Sequence, residues 1–351
     1  MKFDILGRAG ASALLIAALA TPLAAQEYSL SGDEVAIYNL AGTAEIVRGS
    51  GSEVIVRVRR GGDDAAQLEV EIDRIGGREA LRIVYPDSRI IYPELGRRSE
   101  TTVRVGSDGT FNGNRRGDRV TIAGSGRGVE AWADLEIMVP VGTSLSVYLA
   151  AGATDARGID GDLTIDTGAG RVTAMDITGS LNVDTGSGSV EVRNVTGDVL
   201  VDTGSGSVEI NDVRGDEVNV DTGSGGVDGN GISAERVNID TGSGGIELAN
   251  VRAPDVYLDT GSGSVRVELL QDVDNLEVDT GSGSVTVTLP SDAGAEIDIE
   301  TGSGGIDLDF PVTVRRASKD HVVGRVGDGH GRIHIDTGSG SIRFVQGRAV
   351  R

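Results

Sequence analysis

The pentapeptide Asp-Thr-Gly-Ser-Gly recurs along this chain at an almost constant step. The step is measured from the first residue of each motif, with one copy reading DTGAG and one reading ETGSG: Asp166, Asp184, Asp202, Asp221, Asp240, Asp259, Asp279, Glu300 and Asp336. Neighbouring motifs are 18, 18, 19, 19, 19, 20, 21 and 36 residues apart, the last being close to two steps. A period of about 20 residues is typical of stacked repeats, in which each unit buries its apolar face against its neighbours.

Each repeat has the pattern of two short strands. In residues 180–197, Leu181 and Val183 alternate with polar residues before the motif, and Val190 and Val192 do so after it. This alternation predicts half-buried strands. We therefore expect an all-β, single-domain β-solenoid, resembling a parallel β-helix or β-roll, with about 18–21 residues per coil. An antiparallel meander of hairpins is the alternative, but nearly identical turns favour coils that stack identical corners in register.

The chain divides into three regions. Residues 1–25 combine Lys2 and Arg8, an apolar run and small residues before Ala25, which predicts a signal peptide. Residues 26–143 are β-rich without a regular period, and we expect them to open and cap the stack as an irregular N-terminal region. Residues 144–351 hold the repeats, interrupted by an irregular segment at residues 310–331.

The composition indicates an exported protein, periplasmic, extracellular or on the cell surface. The mature chain has no cysteine, hence no disulfides, and no apolar stretch long enough to span a membrane. The net charge is −22, and residues 160–310 hold 30 acidic and 6 basic residues, a net of −24. Residues 311–351 hold 3 acidic and 8 basic residues, a net of +5. This acidic balance argues against binding to nucleic acid or anionic lipid.

The motif is first interpreted as a structural turn. The preceding Val or Ile points inward, so the Asp points outward, and its carboxylate can accept hydrogen bonds from the turn. The Thr then points inward, where its hydroxyl can bond to the next Thr. Glycine permits positive φ or close approach of two backbones. The glycines assigned this structural role are Gly186, Gly204, Gly223, Gly242, Gly261 and Gly281.

The motif also permits two chemical interpretations. VDTGS is also the signature of aspartic proteases, but those enzymes pair two Asp in one cleft, whereas a solenoid sets its Asp in a line. Carboxylates stacked about 4.8 Å apart repel each other by roughly 0.9 kcal/mol per pair in water. A Ca²⁺ ion could offset that repulsion. The candidate cation ladder comprises Asp184, Asp202, Asp221, Asp240, Asp259 and Asp279. No other cofactor is expected.

No catalytic constellation accompanies the repeats. The sequence lacks a GxSxG nucleophile elbow and a phosphate-binding loop. His321, His330 and His334 are the only histidines, and they come without the cysteines or the Glu-x-x-His spacing of a zinc site. We therefore expect a protein that is not an enzyme.

The repeats resemble a bacterial family known as putative adhesins, a repeat-built domain of unknown function. The resemblance lies in the GDVxVDTGSGSVEV text, in residues 134–145, in the closing residues 332–342 and in the opening residues 32–42. It implies an exported protein of the cell envelope and carries over no catalytic residue.

The sequence thus predicts a non-enzymatic, exported envelope or surface protein, an adhesin-like, rigid, acidic scaffold that contacts an unidentified envelope protein or glycan. A carbohydrate-active β-helix enzyme and a self-assembling envelope filament are the alternatives. A catalytic site would break the repeat at one place, and the oligomeric state is left open.

Overall fold

The structure, a computed structural model, describes residues 25–111 and 117–347. The predicted signal peptide therefore lies outside the described residues, apart from Ala25. In the part that is described, no helix has the length and apolarity needed to cross a bilayer.

The described chain is almost entirely β-structure, with short 3₁₀ helices at Ala65–Gln67 and Pro93–Leu95. The strands before the repeats are β1 (Gln26–Leu30), β2 (Glu34–Asn39), β3 (Ala44–Arg48), β4 (Val54–Gly61), β5 (Glu69–Ile75), β6 (Arg78–Val84), β7 (Arg89–Ile91), β8 (Glu100–Val105), β9 (Asp118–Ala123), β10 (Val129–Glu130) and β11 (Trp132–Val139). The repeats contain β12 (Ser144–Ala151), β13 (Thr154–Arg157), β14 (Leu163–Ala169), β15 (Val172–Thr178), β16 (Leu181–Thr185), β17 (Val190–Thr196), β18 (Val199–Thr203), β19 (Val208–Arg214), β20 (Glu217–Thr222), β21 (Val227–Ser233), β22 (Arg236–Thr241), β23 (Ile246–Val251), β24 (Asp255–Thr260), β25 (Val265–Leu269), β26 (Asn275–Thr280) and β27 (Val285–Leu289). The chain closes with β28 (Ala295–Thr301), β29 (Ile306–Asp309), β30 (Val312–Ala317), β31 (His321–Val326), β32 (Gly331–Thr337) and β33 (Ile342–Gln346).

Two large sheets face each other across the molecule. The 15-stranded sheet carries the Asp and Thr of every motif and is called the motif sheet. The 14-stranded sheet carries the strand that follows each motif and is called the opposite sheet. Each coil contributes one strand to each sheet, and successive coils pair in parallel, as in β16 with β18 and β17 with β19. The predicted β-solenoid is confirmed.

The stack contains eleven coils by strand order. At about 4.8 Å per strand, ten spacings give a length of about 48 Å. Side chains alternate as the sequence predicts, because successive residues of a strand point to opposite faces. Val183 and Val201 of the motif sheet and Val192 and Ile210 of the opposite sheet are fully buried. These branched side chains form one continuous aliphatic core.

Coil order and chain order differ at both ends of the stack. Strands β2 and β3 pair with β12 and β13, so residues 34–48 form the first coil, ahead of the repeats. At the other end, β32 lies between β26 and β28, and β33 lies between β27 and β29. The last coil in the chain is thus the second-to-last coil in space. The predicted irregular segment, residues 310–331, contains the hairpin β30–β31, which pairs with the outer edge of β28.

A cap covers the N-terminal end of the stack. Strands β6 and β11 continue the two sheets in parallel, and β5, β4 and β1 follow in antiparallel pairs. A small cap sheet of β7, β8, β9 and β10 lies over the outer face of the motif sheet. Between them lies a second apolar cluster that includes Tyr38, Tyr92, Phe111 and Ile122.

Candidate functional site

The first residues of the nine motifs form one row across the outer face of the motif sheet. The strand registers place each carboxylate directly beside that of the next coil. The row includes all six residues of the predicted cation ladder. In spatial order it runs Asp166, Asp184, Asp202, Asp221, Asp240, Asp259, Asp279, Asp336 and Glu300. We call it the acidic row.

The threonine after each acidic-row residue points into the molecule and is buried. The predicted bond between stacked threonine hydroxyls is wrong for Thr241, whose hydroxyl bonds to the glycine backbone of the corners. Thr241 Oγ1 donates to the Gly225 carbonyl at 2.8 Å and accepts the Gly244 N–H at 3.0 Å. In the earlier coils the buried hydroxyls of Thr167, Thr185 and Thr203 have no hydrogen-bond partner among the described residues. The change coincides with the lengthening of the motif step from 18 to 19 residues.

The six glycines assigned to the turn stack upon one another at the corner after the motif sheet. A methyl group on Gly186 would lie 2.7 Å from the Gly168 carbonyl oxygen, and one on Gly242 would lie 2.5 Å from that of Gly223. Gly204, Gly223, Gly261 and Gly281 meet the glycine of the preceding coil at 2.4–2.7 Å in the same way. Close approach of stacked backbones is therefore the physical reason for glycine at these positions.

Different residues flank the acidic row at its two ends. Tyr148 occupies the position before Asp166, and its ring stacks on Tyr38 with centroids 4.5 Å apart. Arg78 donates to the Tyr148 hydroxyl at 3.1 Å. At the other end His321 lies opposite Glu300, but its Nε2 hydrogen-bonds Asp298 Oδ1 at 2.8 Å.

The cap changes the electrostatics of the first carboxylate. Burial beneath the cap, followed by repulsion from Asp184, raises the pKa of Asp166 to about 7. Partial burial and the Asp202 charge also raise the pKa of Asp184. The pKa of Asp259 is raised by partial burial and by the charges of Asp240 and Asp279. The row thus holds like charges in the folded state at a cost in free energy.

Partners that would compensate the acidic row are missing from the part of the chain that the structure describes. Within residues 25–111 and 117–347, no row carboxylate forms an ion pair or accepts a hydrogen bond from the turn that follows it. In the same residues no three His, Cys, Asp or Glu side chains converge on a point where they could hold a metal ion. The members of the row lie side by side on one sheet. Binding of Ca²⁺ there stays a prediction.

The repeats and coils described above match a known family. The sequence model of the Toastrack DUF4097 family matches residues 100–344, more than half of the chain. The chain belongs to the Toastrack DUF4097 family.

Two solved structures are similar to this Toastrack chain in outline. One is a putative cell adhesion protein from Clostridium sporogenes, 13% identical, with 92% of this chain and 100% of that chain covered and a TM-score of 0.23. The other is a putative adhesin from Bacteroides fragilis, 12% identical, with 92% and 96% covered and a TM-score of 0.37. No curated protein matches the chain.

The Toastrack chain breaks its repeat most clearly at the C-terminal end of the motif sheet. A groove of about 680 Å³ there is lined by Glu277, Asp298, His330 and His334, among others. His334 lies between Glu277 and Asp298 in the strand register. Two of the three histidines thus line the groove, and the third, His321, hydrogen-bonds Asp298 of its lining.

Sequence reasoning missed this groove because its parts are far apart in the chain. His321 and His334 flank β28 only because β32 inserts between β26 and β28. Sequence reasoning also missed Tyr148, because the coil that contains it has no motif. Tyr148 precedes Asp166 by 18 residues, which is one coil, and this spacing could have revealed its place beside the acidic row.

Proposed function

We propose that this chain is a non-enzymatic, exported cell-envelope or surface protein that contacts another envelope component through the outer face of the motif sheet. The acidic row carries the proposal. It places nine carboxylates along a face about 40 Å long, counting eight strand spacings. A stiff face of regularly spaced like charges suits a partner that presents cationic or hydrogen-bond donor groups along its length, either an envelope protein or a glycan.

The support for an exported location is the signal-peptide pattern of residues 1–25 together with the disulfide-free, acidic composition. The absence of an identified catalytic motif in the sequence favours a binding role over turnover.

The test compares two variants that lose the same charge from different sheets. In the first variant Asp202, Asp221 and Asp240 of the acidic row become Asn. In the control variant Glu209→Gln, Asp228→Asn and Glu247→Gln remove charge from one row on the outer face of the opposite sheet. Both variants and the wild-type chain from residue 26 are incubated with isolated cell envelopes and with purified envelope glycans.

We expect the affinity for envelopes, measured by sedimentation, to fall at least about tenfold for the acidic-row variant, a loss of about 1.4 kcal/mol in binding free energy. The control variant should bind envelopes as the wild type does. Equal binding by all three proteins would contradict the proposal. Equal loss in both variants would assign binding to net charge rather than to the motif sheet.

The histidine groove favours one alternative, a carbohydrate-active enzyme. This groove combines carboxylates with the imidazoles of His330 and His334 and with Arg332. Paired carboxylates are the usual machinery of glycoside hydrolysis. Turnover of an envelope polysaccharide that is lost in Glu277→Gln and in Asp298→Asn, with folding intact, would replace the binding proposal by this one.

A further inference from the structure

The motif sheet ends in two open edge strands, one at each end of the stack. Within the described residues β5 pairs only with β6, and β30 pairs only with β31. Each strand therefore presents a row of backbone N–H and C=O groups on its outer side. Such an edge is a template for another strand.

Both edge strands expose an aliphatic side chain on the core side of the sheet. Val70 of β5 and Val312 of β30 pack against the main core. Side chains two residues apart share a face, so Ile72 and Val314 lie on that same side. Ile72 is 38% exposed and Val314 is 50% exposed, whereas the aliphatic core positions of the inner coils are fully buried. At both ends of the motif sheet, an aliphatic side chain on the core side is therefore partly exposed to solvent.

The two edges carry opposite charge. Strand β5 has a net charge of −2, with Glu69, Glu71 and Asp73 against Arg74. Strand β30 has a net charge of +2, from Arg315 and Arg316. Arg82 pairs with Glu71 at 2.8 Å, and Arg315 pairs with Glu296 at 2.6 Å. In the part of the chain that is described, neither Glu69 nor Arg316 forms an ion pair, and both are exposed.

The strand directions also match. Strand β30 is antiparallel to β31, which is antiparallel to β28, so β30 runs in the direction of the coils. Strand β5 is antiparallel to β6, which runs in the direction of the coils, so β5 runs against them. A second copy shifted along the stack axis would bring its β30 antiparallel to β5 of the first. Antiparallel pairing is the more stable kind.

We propose that this chain associates head to tail with copies of itself, with β30 of one copy adding to β5 of the next and extending the motif sheet. Aliphatic side chains meet on the core side, and acidic and basic side chains meet along the edge. Because the two surfaces differ and are related by a shift along the axis, the contact does not close, and it builds linear assemblies. This association is independent of the envelope contact proposed above.

The experiment uses one blocked end at a time. Val314→Asp blocks the β30 edge, Ile72→Asp blocks the β5 edge, and Val141→Asp is the control, since Val141 is 55% exposed but lies outside both edge strands. The mature chain and each variant are followed by sedimentation velocity over a wide concentration range. Circular dichroism melting confirms that each variant is folded.

We expect the wild type and Val141→Asp to form a concentration-dependent series of oligomers. Each edge variant alone stays monomeric, and an equal mixture of the two forms a dimer, because each retains the end that the other has lost. A wild type that is monomeric at all concentrations overturns the proposal. So does association of either edge variant alone, or a mixture that stays monomeric.

A charge swap tests the same contact without touching the aliphatic residues. Glu69→Arg alone and Arg316→Glu alone should each weaken association at least about tenfold, and the double variant should recover it because the end charges are again opposite. If these charges instead protect the edges from pairing, neutral variants Glu69→Gln and Arg316→Gln would associate more strongly than the wild type, and the proposal would be wrong.

Discussion

At the scale of single residues, the acidic row is a set of like charges that the fold holds together against their repulsion. Asp166 is the most affected, because the cap removes water from it and Asp184 lies beside it. A carboxyl whose folded pKa is raised above its unfolded value stabilises the fold while it is protonated.

The Asp166 pKa predicts a pH dependence of stability with a definite sign. The pKa is about 7 in the folded state and 3.8 is its ordinary value. The favourable contribution is complete below about pH 4 and is lost as pH rises through about 7. We expect the melting temperature to fall between about pH 4 and about pH 7. Asp166→Asn should flatten this fall, while Asp240→Asn, an exposed member of the same row, should leave most of it; no difference between the two variants would contradict the assignment.

The acidic row also predicts how salts act. Salt screens the repulsion between the like charges of neighbouring coils, whichever cation it contains. Sodium, magnesium and calcium chlorides at matched ionic strength should raise the melting temperature of the mature chain by similar amounts. A rise specific to calcium, abolished by chelator, would show instead that the row is a calcium array.

At the scale of strands and corners, the same threonine has two environments. Thr241 bridges the glycines of two corners through its hydroxyl, whereas the buried hydroxyl of Thr185 has no partner. An unpaired buried polar group costs free energy, so the two positions should respond oppositely to removal of the hydroxyl.

Replacement by valine measures this difference. Thr241→Val leaves the Gly225 carbonyl and the Gly244 N–H without their partner, and we expect it to lower the free energy of unfolding by about 1–3 kcal/mol. Thr185→Val removes only an unpaired hydroxyl and should be neutral or stabilising. Urea unfolding of the two variants provides the comparison, and equal losses would contradict the hydrogen-bond pattern.

Much of the coil could be predicted from the sequence, because alternation fixes which side chains point inward. Val183, Asp184 and Thr185 lie inside, outside and inside, as their pattern requires. The partner of the threonine hydroxyl could not be predicted, since Thr185 and Thr241 stand in identical DTGSG motifs and yet only Thr241 has hydrogen-bond partners among the described residues.

At the scale of the whole molecule, the repeat in the sequence does not predict the order in which the coils stack. Residues 297–301 read IDIET and residues 333–337 read IHIDT, and both patterns fit equally well beside β26. Periodicity specifies the shape of a coil but not its neighbour. Strand β31 runs back along the outer edge of β28, and residues 327–330 then lead to β32 on the side of β28 that faces β26.

The inverted order of the last two coils also produces two of the surface features discussed above. It places His334 between Glu277 and Asp298, creates the histidine groove and leaves β30 as the open edge of the motif sheet. The acidic row stays continuous across it, because Asp336 fills the position between Asp279 and Glu300.

The most direct test is a pair of introduced disulfides, which the absence of native cysteine makes simple. Neighbouring strands lie about 4.8 Å apart, within reach of a disulfide, and strands two apart do not. Under mild oxidation Asp279→Cys with Asp336→Cys should form an intramolecular disulfide, and Asp279→Cys with Glu300→Cys should not. The opposite result, a bond between positions 279 and 300 and none between 279 and 336, would show that the coils stack in chain order and would contradict the architecture described here.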